Sequence, residues 1–445
     1  EIMPSLVGSE MCIRDRMNTT AEQLFHLIEK GGSPYQVVEE AEKRLKEAGF
    51  EKLEFHTAWG LTGGKSYYMI HHGTTLIAFT IPKTLYYRES FRMAAAHTDF
   101  PCLRIKPNPE MEMSGYQQLN VEVYGGAILN TWLDRPLGIA GKVALASDEV
   151  FAPRIVHFSS EYPVAVIPNI AIHMNPALNK GVELNKQKDM IPIVGVAGEE
   201  MQQKDFFYEY LAKELQVSKE EILDFDLYLY NTEMPETVGM DKELISAPRL
   251  DNLTSVQALL DGIITGGRED GINLIALFDH EEIGSRTKQG AGSMLLRDVV
   301  EKIQISLGRD ACQVKEALYQ SMLLSVDVAH AMHPNQNQKA DVTNQPVLNR
   351  GFCIKESGNQ SYATDCEVVA IVEQICKKEG IAYQKYANRS DIAGGSTLGA
   401  IAGSLMPVQT VDIGIPILAM HSARELMGFE DMSALSRFVG SYFSI

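Results

Sequence analysis

The sequence predicts an α/β fold in which a mixed sheet is flanked by helices and interrupted by an inserted β-rich segment. Three observations lead to this prediction. Apolar runs of strand length end in polar residues, as where residues 272–278 pass into Asp279. Helical patterns with recognisable caps alternate with such runs towards both ends of the chain. Between them, residues 101–243 are mainly short alternating segments separated by Gly, Pro and Asn, which is typical of β structure.

Two helices open the pattern, after an N-terminal stretch that we expect to be a non-native extension. Residues 1–16 fit neither a helical nor a strand period. The second helix has Ser33 as its N-cap and Pro34 in its first turn, and Gln36 completes a capping box. Gly49 marks its end, because glycine readily adopts the left-handed conformation that terminates helices.

A β-hairpin and a third strand follow these helices. The hairpin strands cover residues 66–71 and 75–81. The next apolar run, residues 91–96, ends at His97, and Asp99 lies two positions further on. A carboxylate at that spacing can take the imidazole proton that a metal leaves free, so the pair suits a metal ligand and the group that orients it.

The inserted segment contains little helix. We predict strands at residues 120–124 and 142–146, one helix at residues 204–215 and a short helical turn at residues 218–222. We therefore assign residues 101–243 to a separate β-rich domain, and residues 17–100 and 244–445 to the α/β domain that it interrupts.

The α/β alternation resumes after Asp251. We predict helices over residues 252–264, 292–307 and 367–378, and strands over residues 272–278, 322–328, 381–386 and 410–415. Thr364 and Glu367 form a capping box before the third of these helices, which Gly380 closes. The glycine-rich run 394–397 is predicted to be a loop that enters a further helix.

Composition excludes several classes of partner and site. The chain has 445 residues, of which 58 are acidic and 40 basic, and its formal charge of −18 argues against nucleic acids and anionic membranes as partners. Its six cysteines lack paired spacing, so neither a disulfide framework nor a thiolate zinc site is indicated. No apolar run approaches the roughly 18 residues that a membrane span needs. These features favour a folded, cytoplasmic protein.

Polar residues at or just after strand ends form one candidate site. They are His97, Asp99, Asp251, Glu281, Glu282, Asp327, His330 and His421. Strand ends in one sheet converge on one edge, so we expect these side chains to meet. Two or three imidazoles with several carboxylates and no thiolate suit zinc, manganese or cobalt. Five ligands with a bridging carboxylate suit a pair of cations, as in two-metal hydrolysis.

Each of these residues also fits a structural role when taken alone. His97 and Asp99 would then form an ordinary hydrogen-bonded pair, and His421 would be a core histidine bonded to a carbonyl. The acidic run from Asp279 would be a solvated turn at the end of a strand.

Six ordered motifs favour the metal site over these structural roles. They are HTDFPCLRIKP, PRLDN, DHEEIGS, SVDVAHAMHPN, GNQSYAT and VDIGIPILAMHSARE. In this order and spacing they resemble the aspartyl aminopeptidase family of dizinc metallopeptidases. The resemblance implies a phosphorylase/hydrolase-like catalytic domain with an inserted dimerisation domain, here residues 101–243. It also implies dimers that assemble into a tetrahedral dodecamer acting on short peptides.

The resemblance also implies a role for each site residue. The metal ligands would be His97 and Asp327 for one cation, Glu282 and His421 for the other, and Asp251 as the bridge. Zinc is the expected metal, with manganese and cobalt as alternatives. Glu281 would be the general base that deprotonates the attacking water. His173 would donate a hydrogen bond to the oxyanion in the site of a neighbouring subunit.

The substrate-binding residues implied by the resemblance are Lys355, Arg389 and Gly395. Lys355 falls where relatives that prefer acidic N-terminal residues place a lysine, so we expect a preference for Asp or Glu. Glu356 lies beside it and can neutralise it, which leaves a neutral or broad specificity as the alternative. A catalytically idle shell that binds peptides is a further alternative, whose signature would be the loss of ligand or base residues; none is lost in this sequence.

Overall fold

The fold is described from a computed structural model that covers residues 19–86, 89–197, 205–392 and 394–445. The predicted extension, residues 1–16, lies outside these residues. Within them the structure is mixed α/β, as predicted, with three sheets and helices packed against them. Among the described helices, none combines the length and the apolar character that crossing a bilayer requires.

Two helices precede the first strands, and helices alternate with strands or groups of strands in the C-terminal half of the chain. The strands are β1 (Glu51–Lys52), β2 (Ser66–His71), β3 (Thr75–Thr80), β4 (Ser90–His97), β5 (Cys102–Met113), β6 (Tyr116–Tyr124), β7 (Leu137–Leu145), β8 (Arg154–Ser159), β9 (Ile193–Val196), β10 (Ile222–Asn231), β11 (Glu236–Val238), β12 (Leu244–Ala247), β13 (Gly271–Phe278), β14 (Met322–Val326), β15 (Ala329–His330), β16 (Phe352–Glu356), β17 (Tyr383–Ala387), β18 (Gln409–Gly414), β19 (Pro416–Leu418) and β20 (Glu425–Gly428). The helices are α1 (19–30), α2 (Pro34–Glu47), α3 (Phe206–Leu215), α4 (Leu250–Thr265), α5 (Leu295–Ser306), α6 (Ala311–Tyr319), α7 (Cys366–Glu379), α8 (Leu398–Leu405) and α9 (Phe429–Tyr442).

A nine-stranded sheet forms the centre of the fold. Its order is β1-β2-β3-β13-β4-β14-β18-β16-β17. The four central strands β13, β4, β14 and β18 run parallel, whereas β3 and β16 are antiparallel to their neighbours in this central block. The carboxyl ends of the parallel strands therefore share one edge, which is where open α/β sheets place their chemistry.

Strand periodicity divides the core between the two faces of this sheet. In β4, Ala94 and Ala96 belong to the hydrophobic cluster on one face, while Met93 and Ala95 belong to the cluster on the other. Successive side chains of a strand point to opposite faces, so a strand buried on both sides is apolar throughout. The eight residues of β13 are accordingly all buried.

The predicted insertion supplies a second, antiparallel sheet. Its order is β8-β7-β10-β5-β6-β9, and all six strands lie between Cys102 and Asn231. The predicted helix of this segment appears as α3. The division of the chain into residues 17–100 with 244–445 and residues 101–243, and the oligomerisation role of the latter, remain predictions.

A third sheet joins the end of the insertion to the C-terminal part of the chain. Its order is β11-β12-β20-β19-β15. β12 leads directly into α4, and β19 ends three residues before His421. This sheet therefore carries two segments towards the same edge of the central sheet.

Local capping signals predicted one helix start well and misplaced another. Ser33 caps α2, its side chain accepting the Tyr35 N–H at 3.3 Å. The predicted Thr364 cap of α7 is wrong, because the Asp365 carboxylate accepts the N–H groups of Glu367 and Val368 instead. The Thr364 hydroxyl accepts the backbone N–H of Asp412, a contact 48 residues distant in sequence.

Candidate metal centre

Three neighbouring parallel strands deliver the first polar residues of the site. His97 is the last residue of β4, and Phe278, the last residue of β13, lies opposite it. Asp327 directly follows β14, the strand on the other side of β4. The alignment of these strand ends explains why residues 230 positions apart in sequence meet.

Loops and one helix supply the other side chains. Glu281 and Glu282 lie on a short 3-10 turn just after β13. Asp251 is the second residue of α4, and His421 follows β19. The five predicted ligands and Glu281 thus form one cluster at the edge of the central sheet.

Asp251 lies between the two histidines of the cluster. Its Oδ1 is 3.5 Å from Nε2 of His97, and its Oδ2 is 3.3 Å from Nε2 of His421. His97 also lies 3.6 Å from Oδ1 of Asp327, and His421 lies 3.5 Å from Oε2 of Glu282. Each carboxylate oxygen of Asp251 therefore faces a different histidine, and each histidine faces a second carboxylate.

Among the described residues, ligand atoms fall into groups compact enough to hold a metal ion. The groups are His97 with Asp251 and Asp327, His97 with Glu281 and Glu282, and Asp251 with Glu282 and His421. Within each group the atoms lie within 4.8 Å of one another. The first and third groups match the two predicted ligand sets and share Asp251.

Backbone carbonyls fix the orientation of both imidazole rings. Nδ1 of His97 is 2.9 Å from the main-chain oxygen of Asp99, and Nδ1 of His421 is 3.2 Å from that of Gly126. A carbonyl can only accept, so each ring carries its proton on Nδ1. Nε2 of each ring is then the free ligand atom, and it faces the carboxylates.

The electrostatics of the cluster fit cations rather than protons. Burial raises the pKa of Glu281 to about 8, and that of Glu282 well above its ordinary value. Although burial opposes the charged ring, the carboxylates of Asp251 and Asp327 raise the pKa of His97 well above its ordinary value. Acids and imidazoles that compete for protons in this way are a set that a cation can bind by displacing those protons.

Two buried carboxylate oxygens give a second indication that the cluster is a metal site. Oδ1 of Asp251 and Oε1 of Glu282 are buried, and no described residue gives either of them a hydrogen bond. A buried carboxylate oxygen without a partner is costly. Both oxygens belong to residues of the metal-binding groups, so divalent cations bound there would be suitable partners for them. The donor set fits zinc, manganese or cobalt.

Asp99 is fully buried behind the cluster, and it positions Glu281 and Glu282 as well as His97. Its Oδ1 lies 3.3 Å from Nδ1 of His97, a longer contact than the one its main-chain oxygen makes. The carboxylate also accepts the backbone N–H groups of Glu281 and Glu282, both at 3.1 Å. The hydroxyl of Tyr124 donates to Oδ2 at 2.7 Å. Asp99 therefore fixes the turn that carries the two glutamates.

Lys355 belongs to strand β16, and its side chain lies behind Asp327. Its side chain is 1% exposed. The ammonium donates to the main-chain oxygens of Asp327 and Val328, at 2.9 and 3.2 Å, and lies 3.9 Å from Oδ2 of Asp327. An ammonium has three N–H groups, so these carbonyls leave one for another acceptor.

Arg389 and Gly395 line a cavity of about 490 Å³ that borders the cluster. His330 and Met420 also line it, and Met420 directly precedes His421. The Arg389 guanidinium pairs with Asp391, with contacts of 2.6 and 3.1 Å. A Cβ added at Gly395 would meet no atom within 4 Å, so the cavity is open there.

His173 lies outside the cluster. It sits in an exposed turn, among the exposed apolar residues Ile170, Ile172 and Met174. In the described part of the chain, no hydrogen bond or ion pair joins it to a candidate ligand. Its predicted role in a neighbouring subunit requires that position, and the role remains a prediction.

Sequence reasoning missed two residues that support the site. Tyr124 lies at the end of β6 and reaches Asp99 from the six-stranded sheet. Glu425 accepts the backbone N–H groups of Asp251 and His421. Glu425 is the last letter of the motif VDIGIPILAMHSARE, so its place four residues after His421 was a usable signal. Tyr124 gave no comparable signal, because its partner lies 25 positions earlier, in the loop between β4 and β5.

Known proteins resemble this chain over nearly its whole length. A profile of the family described as Aminopeptidase I zinc metalloprotease (M18) matches residues 27–443. A probable M18 family aminopeptidase 2 from Clostridium novyi is 42% identical over 412 residues, which cover 92% of this chain and 95% of the relative.

Solved structures agree with this likeness. Ape4, in a cryo-EM structure of its complex with Nbr1, is 30% identical and superposes with a TM-score of 0.92, covering 96% of this chain and 86% of that one. The mApe1 dodecamer of S. cerevisiae is 26% identical with a TM-score of 0.84, and covers 96% of this chain and 97% of that one.

Proposed function

Since this chain belongs to the Aminopeptidase I (M18) family of zinc metalloproteases, we propose that it removes the N-terminal residue from short peptides with two divalent cations. The position of Asp251 carries the proposal. Its two oxygens face His97 and His421 separately, at 3.5 and 3.3 Å. A bridging carboxylate in a two-metal site requires that arrangement.

The ligands that we propose divide between two positions that share Asp251. His97 and Asp327 complete one, and Glu282 and His421 complete the other. Zinc is the metal we propose, with manganese and cobalt compatible with the same donors. The cations would polarise the scissile carbonyl and lower the pKa of the attacking water.

Glu281 is the base in this proposal. Its side chain is 18% exposed, whereas that of Glu282 is 2% exposed, so Glu281 can reach a substrate in the cleft. Oε2 of Glu281 lies 4.0 Å from Nε2 of His97, at the rim of the proposed metal position. The carboxylate would take a proton from the attacking water and pass it to the leaving amine. Asp99 holds it in place through the Glu281 N–H.

We propose a preference for acidic N-terminal residues. The support is the presence of two cations: the Lys355 ammonium has one N–H beyond its two carbonyl contacts, and Arg389 lines the adjacent cavity. Arg389 is paired with Asp391, so we assign Lys355 to the substrate carboxylate. Because the Lys355 side chain is 1% exposed, this assignment requires the substrate to displace the protein atoms that cover the ammonium. Hydrolysis rates on aspartyl, glutamyl and leucyl substrates test the preference. Equal rates on the leucyl and aspartyl forms would instead establish the neutral or broad specificity.

We further propose that the chain works as a homo-oligomer built from dimers, as a dodecamer. One relative of similar fold was solved as a dodecamer. The apolar residues around His173 are 45 to 75% exposed in the single chain, which suits burial against another subunit. In this assembly His173 would donate to the oxyanion in a neighbouring site. Native mass of the purified protein tests the subunit number.

Two neighbouring variants separate the base from the ligands. Glu281→Gln keeps the shape of the side chain and removes the base, so turnover should fall by at least about 10² to 10⁴-fold while zinc content stays at the wild-type level. Glu282→Gln is the matched control, and it should lose zinc. Unchanged turnover in Glu281→Gln would reject Glu281 as the base, and a loss of its zinc would make it a ligand.

A further inference from the structure

Glu425 is a buried carboxylate that joins two otherwise separate parts of the metal centre. It is the first residue of β20 and is 2% exposed. In the five-stranded sheet it pairs with Ala247 of β12, four residues before Asp251. It also lies four residues after His421, so its strand runs between the chain segments that carry these two candidate ligands.

Both oxygens of Glu425 bind the backbone of candidate ligands. The N–H of Asp251 donates to Oε2 at 3.0 Å, and the N–H of His421 donates to Oε1 at 2.8 Å. Asp251 and His421 are 170 positions apart in the sequence. A single buried side chain therefore binds the main chain of both residues at once.

The bond to His421 holds an unfavourable backbone conformation. His421 has a φ of +65°, in the left-handed region that is unfavourable for a residue with a Cβ. The side chain leaves that backbone towards Asp251, with Nε2 of His421 3.3 Å from Oδ2 of Asp251. Holding the left-handed turn thus sets the direction of the imidazole.

A second carboxylate performs the same task on the other side of the cluster. Asp99 accepts the N–H groups of Glu281 and Glu282, each at 3.1 Å. Two buried acids, each accepting two backbone N–H groups, thus clamp four residues of the candidate centre. Such indirect contacts orient ligands and influence metal affinity.

We propose that Glu425 is a positioning residue that sets the separation of Asp251 and His421 and thereby tightens cation binding between them. The inference rests on the proposed function and extends it to a residue that would touch neither metal nor substrate. It concerns the position formed by Asp251, Glu282 and His421.

Glu425→Gln is the direct perturbation. A glutamine amide has one oxygen and one NH₂, so one of the two backbone N–H groups would face another donor. Asp431→Asn is the matched control: the Asp431 carboxylate also accepts two N–H groups, from Asn349 and Gly351, both at 2.8 Å. Those partners belong to none of the metal-binding groups.

The measurement is zinc affinity of the full chain, by competition against a chelator, together with the thermal midpoint of the metal-free protein. Glu425→Gln should weaken binding of one of two zinc ions by about 10 to 100-fold. The zinc concentration for half-maximal activity should rise in parallel, and saturating zinc should restore turnover. Asp431→Asn should lower the midpoint without changing zinc affinity.

Two results would overturn the proposal: unchanged zinc affinity in Glu425→Gln, or an equal loss in Asp431→Asn, which would show a general effect of destabilisation. If Glu425→Gln does not fold, Glu425→Asp replaces it; the shorter carboxylate should weaken one zinc ion, and unchanged affinity would again reject the role. A wild-type protein that binds fewer than two zinc ions would instead refute the proposed function.

Discussion

The hydroxyl of Tyr124 provides the sharpest test of how the site is supported. It donates to Oδ2 of Asp99 at 2.7 Å, and the Asp99 side chain is fully buried. The same oxygen accepts the Glu282 N–H at 3.1 Å. Tyr124→Phe removes the hydroxyl and keeps the ring, so Oδ2 would keep only the Glu282 contact among these bonds.

The expected magnitude follows from the charge and burial of Asp99. A hydrogen bond to a charged group contributes about 1.5 to 3 kcal/mol. With about 1.36 kcal/mol for each tenfold change, the full loss corresponds to roughly 10 to 150-fold in kcat/KM if it falls entirely on the transition state. Relaxation of the Glu281–Glu282 turn shares the loss with stability, so we expect about 10 to 100-fold.

The assay is kcat and KM on an aspartyl substrate at saturating zinc, with the thermal midpoint measured in parallel. Tyr228→Phe is the control. The Tyr228 ring lies edge-on to Tyr124 at 5.8 Å and is similarly buried, but it makes no contact with Asp99 among the hydrogen bonds described. We expect its activity to stay within about twofold of wild type. Activity of Tyr124→Phe within twofold of wild type, or an equal loss in Tyr228→Phe, would refute this reasoning.

Two further predictions concern the oxyanion donor and the substrate cation. His173→Ala should lower kcat by about 10² to 10³-fold with zinc retained. Mixing it with Glu281→Gln subunits should restore part of the activity, because one variant supplies the base and the other supplies the oxyanion donor. No recovery in mixed assemblies would exclude a donor acting between subunits. Lys355→Met should lower the ratio of kcat/KM for aspartyl over leucyl substrates by about tenfold or more, through loss of a charge-assisted contact. An unchanged ratio would remove Lys355 from substrate selection.

Local signals in the sequence were enough for most helices and strands. Ser33 and Pro34 define the start of α2 within a few residues, because capping depends on neighbouring backbone groups. The apolar run before Asp279 predicted β13, and its register beside β4 then places Glu281 near His97. The meeting of the candidate ligands at one sheet edge therefore followed from strand ends and their parallel order.

Contacts between distant parts of the chain were not predictable in this way. Threonine often caps helices, yet the Thr364 hydroxyl accepts the backbone N–H of Asp412, and Asp365 caps α7 instead. Glu425 binds Asp251 across 174 positions, which only the pairing of β12 with β20 makes possible. Periodicity and capping carry no information on such pairings, because they depend on sheet order.

The number of metal ions per subunit tests the central claim most directly. Elemental analysis of the purified protein after dialysis against zinc, combined with native mass, gives that number. The shared position of Asp251 between two ligand groups predicts two zinc ions for each subunit. One ion, or none, would contradict it.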